Sequence, residues 1–341
     1  MLAKLSKQFR TFAKNECENS SPLYEHLAYK IAEDDELLQI ADAIPQGQPV
    51  PNLLLAGVQY LLSSSKDELV HFYPSFTTTP KPFNEVYPVF KAFVLSHSDE
   101  LKALFQEKLV QTNEIRRCSY LYPMMTEIYE RHQKPLAFIE IGASAGLQLG
   151  MDRYNYCYNE QLHITNSDRS FVLSSENRGE SLPASITNPP VVCQRIGIDL
   201  NPIDIHDEEE LRWLQALIWP EHQERRLLLN QALPILKELN LQLIKGDAIK
   251  LIKEISSDIN PDAMLVVYHT HVANQIPMEL RLELIEQLKE VSKERPLYHC
   301  YNNLFDSQLH QDFIDQGEIE SIRIMERPDG HARWFKWSNP K

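Results

Sequence analysis

Apolar residues recur at helical spacing through the first third of the chain. Leu2, Leu5, Phe9 and Phe12 form one stripe and Leu23, Leu27 and Ile31 a second. Leu37, Ile40 and Ala41 follow, and Phe83, Val86, Phe90, Phe93 and Val94 make another. Asn52 stands before LLLAGVQYLL, a natural helix start, and prolines at 45, 49, 51, 74, 80, 82 and 88 punctuate the loops. A last helix is predicted over 119–132. At Pro135 the pattern changes. The run LAFIEI is continuously apolar apart from one acid, as a parallel strand buried on both faces requires. Strands are then predicted near 137–141, 195–200, 242–245, 263–269 and 297–301. Helices are expected between them at 145–152, 207–218, 221–239, 248–256 and 278–292. That alternation implies βαβ units. Segments 319–326 and 331–337, around Pro328-Asp329-Gly330, are expected to add an antiparallel hairpin at the sheet edge. The expected architecture is therefore an all-α domain over 1–133 and an α/β domain over 134–341.

Composition narrows the function. The 341 residues carry 34 Lys and Arg against 48 Asp and Glu, a net charge of −14. Nucleic-acid binding draws most of its affinity from basic residues neutralising phosphates, so this balance argues against it. It argues equally against docking on anionic membranes. No stretch approaches the roughly 18 apolar residues of a membrane helix. The cysteines at 17, 118, 157, 193 and 300 are scattered, odd in number and lack a Cys-x-x-Cys pair, so they read as reduced thiols. The N-terminus has no apolar signal core. The expected location is the cytoplasm.

The most informative string is Glu140-Ile-Gly142-Ala143-Ser144-Ala-Gly146, where a buried strand runs into a tight turn of small residues. Glycine permits strained backbone angles and close approach of a ligand to the main chain. The spacing is not the Gly-x-Gly-x-x-Gly of dinucleotide sites. Asp199 ends the next predicted strand, positioned to accept hydrogen bonds from ribose hydroxyls, and Gly246-Asp247-Ala248 ends the third. The order strand–glycine turn, strand–acid, strand–Gly-Asp resembles that of class I S-adenosylmethionine-dependent methyltransferases. The whole chain also looks like an uncharacterised bacterial family of methyltransferase-like proteins with a helical N-terminal half. The resemblance implies a Rossmann-like methyltransferase fold and a site for S-adenosylmethionine. That site would be formed by Glu140, Gly142, Ala143, Ser144 and Gly146, with Asp199 and Leu200 at the ribose and Asp247 and Ala248 at the adenine. Asp247 reads equally well as a helix cap.

Fifty-seven residues separate Gly142 from Asp199, against about 20 in a compact unit. An insertion around 153–190 is therefore expected, in which 163–165 and 170–173 could pair as a hairpin beside the pocket. Methyl transfer is an in-line displacement that needs a base only when the acceptor carries a proton. The fourth strand ends in Tyr268-His269-Thr270-His271 and lacks the Asn-Pro-Pro-Tyr signature of amine methylation on nucleic acids. His269 is the candidate base, with Tyr268 and His271 as neighbours. His269, His271 and His299 also have metal-ligand form, with Asp204 as an acid, although no metal is expected. The expected function is S-adenosylmethionine-dependent methyl transfer to a small molecule or protein. The alternatives are a catalytically silent binding module and a nucleotide-dependent oxidoreductase.

Overall fold

A computed structural model describes residues 1–111 and 113–340 and divides them into two compact units. The first consists of Met1–Thr112 and Asp204–Leu227. Its helices are α1 (Leu2–Phe12), α2 (Pro22–Ile31), α3 (Asp35–Ala41), α4 (Val50–Leu62), α5 (Val86–Ser96) and α6 (Ser98–Glu107). The predicted stripes face one core, containing Phe9, Leu27, Leu37, Leu54 and Phe90, except for Phe83, which is exposed. The second unit consists of Asn113–Ile203 and Leu228–Lys341.

This division corrects the expected boundary at 133/134 in two places. Helix α7 (Cys118–His132) belongs to the second unit, and every residue from Cys118 to Thr126 is buried. Residues 204–227, which contain α8 (Glu208–Ala216), belong to the first. The reason is packing. Trp213 and Ala216 join the helical core, Trp213 donates to the Leu109 carbonyl at 2.9 Å, and Gln59 donates to the carbonyls of Ala216 and Ile218 at 2.7 Å.

The second unit is α/β. Its main sheet comprises β1 (Leu136–Ile141), β5 (Val192–Asp199), β6 (Gln242–Lys245), β7 (Met264–His269), β8 (Leu297–Asn302), β9 (Leu309–Asp315) and β10 (Glu318–Met325). The order is β10-β9-β8-β7-β1-β5-β6. The five strands from β6 to β8 are parallel, while β9 runs antiparallel to both β8 and β10. All six residues of β1 are buried, as its apolar run requires. From β1 the chain passes to β5 and β6 on one side, then returns to β7 and β8 on the other. The switch point of the topology therefore lies between β1 and β7, where open α/β sheets bind their ligands at the carboxyl ends of the strands. The apolar residues of α10 (Ala248–Ser257) and α11 (Met278–Ser292) pack on one face, against Ile139, Ile198, Val267 and Leu297.

The edge hairpin contains the expected segment 319–326 as β10, but its partner is β9 and not 331–337. The turn at Gln316-Gly317, both with positive φ, joins β9 to β10. Residues 334–335 instead form β11 (Trp334–Phe335) of a second, four-stranded sheet with β4 (Val172–Asn177), β2 (Asn155–Tyr158) and β3 (Leu162–Ile164), in the order β11-β4-β2-β3. The expected hairpin of the insertion is likewise replaced, because β2 lies between β3 and β4 and pairs with both. Tyr154, Tyr156 and Tyr158 alternate onto one buried side, and their hydroxyls donate to the carbonyls of Leu147, Met151 and Ser119. The tyrosine-rich insertion is therefore part of the core.

After the glycine turn, the helix expected at 145–152 is only a 3₁₀ segment, Leu147–Arg153. A buried ion pair ties it to the sheet. Asp152 receives two hydrogen bonds from Arg195 of β5, at 2.5 and 2.7 Å, and the same guanidinium donates to the Leu149 carbonyl at 2.6 Å. Removing one partner strands a buried charge, at about 3–5 kcal/mol. Asp152→Ala should therefore lower the denaturant-derived stability of the second unit by that amount. A loss below about 1 kcal/mol would show that the pair behaves as a surface contact.

Candidate functional site

At the carboxyl end of β1 the backbone enters the left-handed region three times, at Gly142 (φ +70°), Ser144 (φ +48°) and Gly146 (φ +69°). Glycine takes that conformation without strain, whereas a serine there needs support. Asp199 supplies it from the end of β5. One carboxylate oxygen accepts the Ser144 N–H at 2.8 Å and the other accepts the Asn201 N–H at 2.7 Å. Gly142 N–H donates to the Ile198 carbonyl at 2.8 Å, and Ile203 N–H to the Ser144 carbonyl at 3.0 Å. Gly197 of β5 completes the seat, since a Cβ there would lie 2.6 Å from that of Ala143.

Both glycines of the turn also have packing reasons. A Cβ on Gly142 would meet Val272 at 2.5 Å, and one on Gly146 would meet Leu149 and Leu243 at 3.2 Å. The segment after β7 therefore folds over the turn through Val272. Asp247 caps α10, accepting the Ile249 N–H at 3.0 Å, with Lys250 3.6 Å away. Ala248 is the buried first residue of that helix, and Leu200 is 71% exposed. Glu140 is buried, and its Oε2 has no hydrogen-bond partner among the described residues. Burial, reinforced by Asp199, holds its carboxyl well above the usual range, with Arg117 opposing.

The three residues grouped as catalytic from the sequence do not face one point. Tyr268 pairs in register with Glu140 and Cys300, while His269 pairs with Tyr301 and Val267 with His299. Alternation along the strands puts Tyr268 and Glu140 on one face of the sheet, and His269, His299 and Tyr301 on the other. Tyr268 is buried edge-on to Phe138 at 5.7 Å. The His269 and His299 rings lie 5.2 Å apart, and the His299 ring stacks on Tyr301 at 4.3 Å. Both imidazoles are buried, and none of their nitrogens has a partner among the described residues. Burial lowers His269 to about 4, so it is neutral and a weak base at neutral pH. Among the described residues no three His, Cys, Asp or Glu side chains group as a metal site, and Asp204 belongs to the first unit.

His271 stands at the edge itself, with φ +58°. Its N–H donates to Asn302 Oδ1 at 2.7 Å. Burial, then Arg117, Arg327 and His331, depress its imidazole to about 3. The sequence reading missed the neighbours that complete this edge. Asn113 donates to the Ser144 hydroxyl at 2.5 Å, and Gln148 to Thr270 at 3.0 Å. Arg117 donates to the carbonyls of Gly330 and Thr270, and Glu114 meets His331 at 3.0 Å. The signal available was the charged string Glu114-Ile-Arg-Arg117, placed just ahead of the uncharged run 118–126.

Residues 6–337 match the family described as "Uncharacterized protein conserved in bacteria (DUF2332)". The chain belongs to this family. Among curated proteins the sequence finds no match. The match spans both compact units. No helix among the described residues is long and apolar enough to cross a membrane.

The buried histidines set an acid limit on stability. His269, His271 and His299 all have folded-state values below the ordinary 6.5. The unfolded chain therefore binds more protons below that pH, and stability falls as pH drops from 6.5 towards 4, by up to about 1.4 kcal/mol per unit for each imidazole. Glu140, whose carboxyl is raised, opposes this at the acid end. His269→Phe, which keeps the ring volume, should flatten the denaturation-versus-pH slope between pH 6.5 and 4 by about one proton. An unchanged slope would show that His269 ionises normally in the folded chain.

Proposed function

We propose that the carboxyl edge of the second unit binds S-adenosylmethionine and that the protein transfers its methyl group to a small molecule or protein. The observation that carries this reading is the Asp199 carboxylate at the tip of β5, locked to the turn after β1 beside the switch point. A carboxylate accepts hydrogen bonds without donating any, which is what a ribose hydroxyl requires of its partner. The main chain at Gly142–Gly146 would face the amino-acid end, and the edge near Asp247 the adenine. The parallel part of the sheet, in the order β6-β5-β1-β7-β8, supports a Rossmann-like methyltransferase fold. The meander β8-β9-β10 and the 3₁₀ segment after the turn are features of this chain.

Bound there, the cofactor would supply an activated methyl group. The acceptor's lone pair forms the new bond to carbon as the carbon–sulfur bond breaks, and the thioether leaves. The contribution of the chain is to hold both partners in line. His269 is not the base in this account, because it is neutral, weakly basic and turned into the α10–α11 face. A second reading, binding without transfer, is favoured by one observation, that the candidate base His269 is buried and weakly basic.

Calorimetric titration tests the reading. S-adenosylhomocysteine should bind and NAD should not. Asp199→Ala should weaken S-adenosylhomocysteine by about 1.5–3 kcal/mol, the range for losing a charged acceptor. Equal affinity in the variant, or binding of NAD instead, would contradict the ribose assignment. Conversion of S-adenosylmethionine to S-adenosylhomocysteine by the full chain separates the two readings, because transfer produces it and binding alone does not.

A further inference from the structure

The carboxyl edge has two halves that differ in chemistry. On the β1–β5 side lie the turn and Asp199, with main-chain donors and a carboxylate. On the β7–β8 side, across the switch point, lie Thr270, His271 and Asn302, and there cations converge. The Arg117 guanidinium, 5% exposed, is fixed there by its bonds to the carbonyls of Thr270 (3.4 Å) and Gly330 (3.3 Å). Arg327 stands on the exposed segment after β10, three residues before the Gly330 whose carbonyl Arg117 binds, and with Arg117 and His331 it disfavours positive charge on the His271 ring. Glu114 meets His331, and burial favours the neutral form of Glu140.

A second observation points the same way. His271 Nε2 and Asn302 Nδ2 are buried without a hydrogen-bond partner among the described residues, and the two residues are joined by the 2.7 Å bond from His271 N–H. A buried polar atom left unpaired is costly, so such atoms mark where an acceptor is missing. Two guanidiniums with two orphaned nitrogens make a cradle for one compact anion.

We infer that this half of the edge receives an anionic group of the methyl acceptor, a carboxylate or phosphate carried by a small molecule. This rests on the cofactor reading above, which occupies the other half of the edge. The overall charge of −14 favours a small ligand with one anionic group over a polyanion. On this account His271 orients the acceptor rather than taking its proton, donating from the imidazole while Asn302 holds its backbone.

The test is a calorimetric titration of the full chain, free and saturated with S-adenosylhomocysteine, with malonate and with inorganic phosphate. One or both anions should bind, and Arg327→Gln and Arg117→Gln should each weaken that binding by about tenfold, as loss of one charge-assisted contact does. Arg327 is exposed, so its variant should fold even if Arg117→Gln does not. No binding of either anion, or binding unaffected by Arg327→Gln, would overturn the inference. The cofactor's own carboxylate is the competing source. If Arg117→Gln weakens S-adenosylhomocysteine but not 5′-methylthioadenosine, which lacks that carboxylate, the cradle serves the cofactor and the inference fails. Failure of S-adenosylhomocysteine to bind at all would instead defeat the cofactor reading, and anion binding to the free chain would still report on the cradle.

Discussion

The carboxylate of Asp199 holds two strand ends together. By accepting the N–H groups of Ser144 and Asn201 it fixes a serine in the left-handed region and locks the turn after β1 to the tip of β5. A charge-assisted bond from a carboxylate to a main-chain donor is among the stronger single contacts available to a turn. The rest of the edge is arranged around this clamp. Asn113 reaches the Ser144 hydroxyl, Ala143 sits over Gly197, and the segment after β7 closes on Gly142. The Asp152–Arg195 pair secures the far end of the same connection.

Two faces of one sheet then separate two kinds of chemistry. The face carrying Glu140 and Tyr268 contains a carboxyl held towards neutrality. The face carrying His269 and His299 contains imidazoles held neutral against the cores of α10 and α11. Neither buried set is poised to exchange protons at neutral pH. What reaches the edge is a turn of main-chain donors, an anchored acid and a pair of guanidiniums. Such an edge is suited to orienting reactants, the main demand of a displacement at a methyl group.

Much of this was legible in the chain. The period of the apolar positions located every strand from β1 to β8 that belongs to the parallel sheet, because buried parallel strands read as continuous apolar runs. The glycine turn, Asp199 and Asp247 were visible because each follows such a run directly. Four features were not. Sequence order said nothing of α7 leaving the helical unit, since the apolar residues of a helix pack equally well by pattern against helices or a sheet. The strand at Tyr154, Tyr156 and Tyr158 went unread, and its sheet extends through β4 to β11, up to 180 residues away. The string Tyr268-His269-Thr270-His271 invited a common role, whereas strand alternation sends Tyr268 and His269 to opposite faces and His271 lies beyond the strand end with φ +58°. Arg117 was hidden because its place in the edge depends on contacts to Thr270 and Gly330, far away in the chain.

Hydrogen exchange measured with and without S-adenosylhomocysteine tests the central claim most directly. If the Asp199 clamp frames the cofactor site, peptides spanning 142–149 and 197–203 should gain protection together on ligand addition. Peptides from the opposite edge, where residues such as Pro190, Gln194 and Gln242 line a cavity of about 590 Å³, should not change. Protection confined to that opposite cavity, or no change at either edge at saturating ligand, would contradict the account.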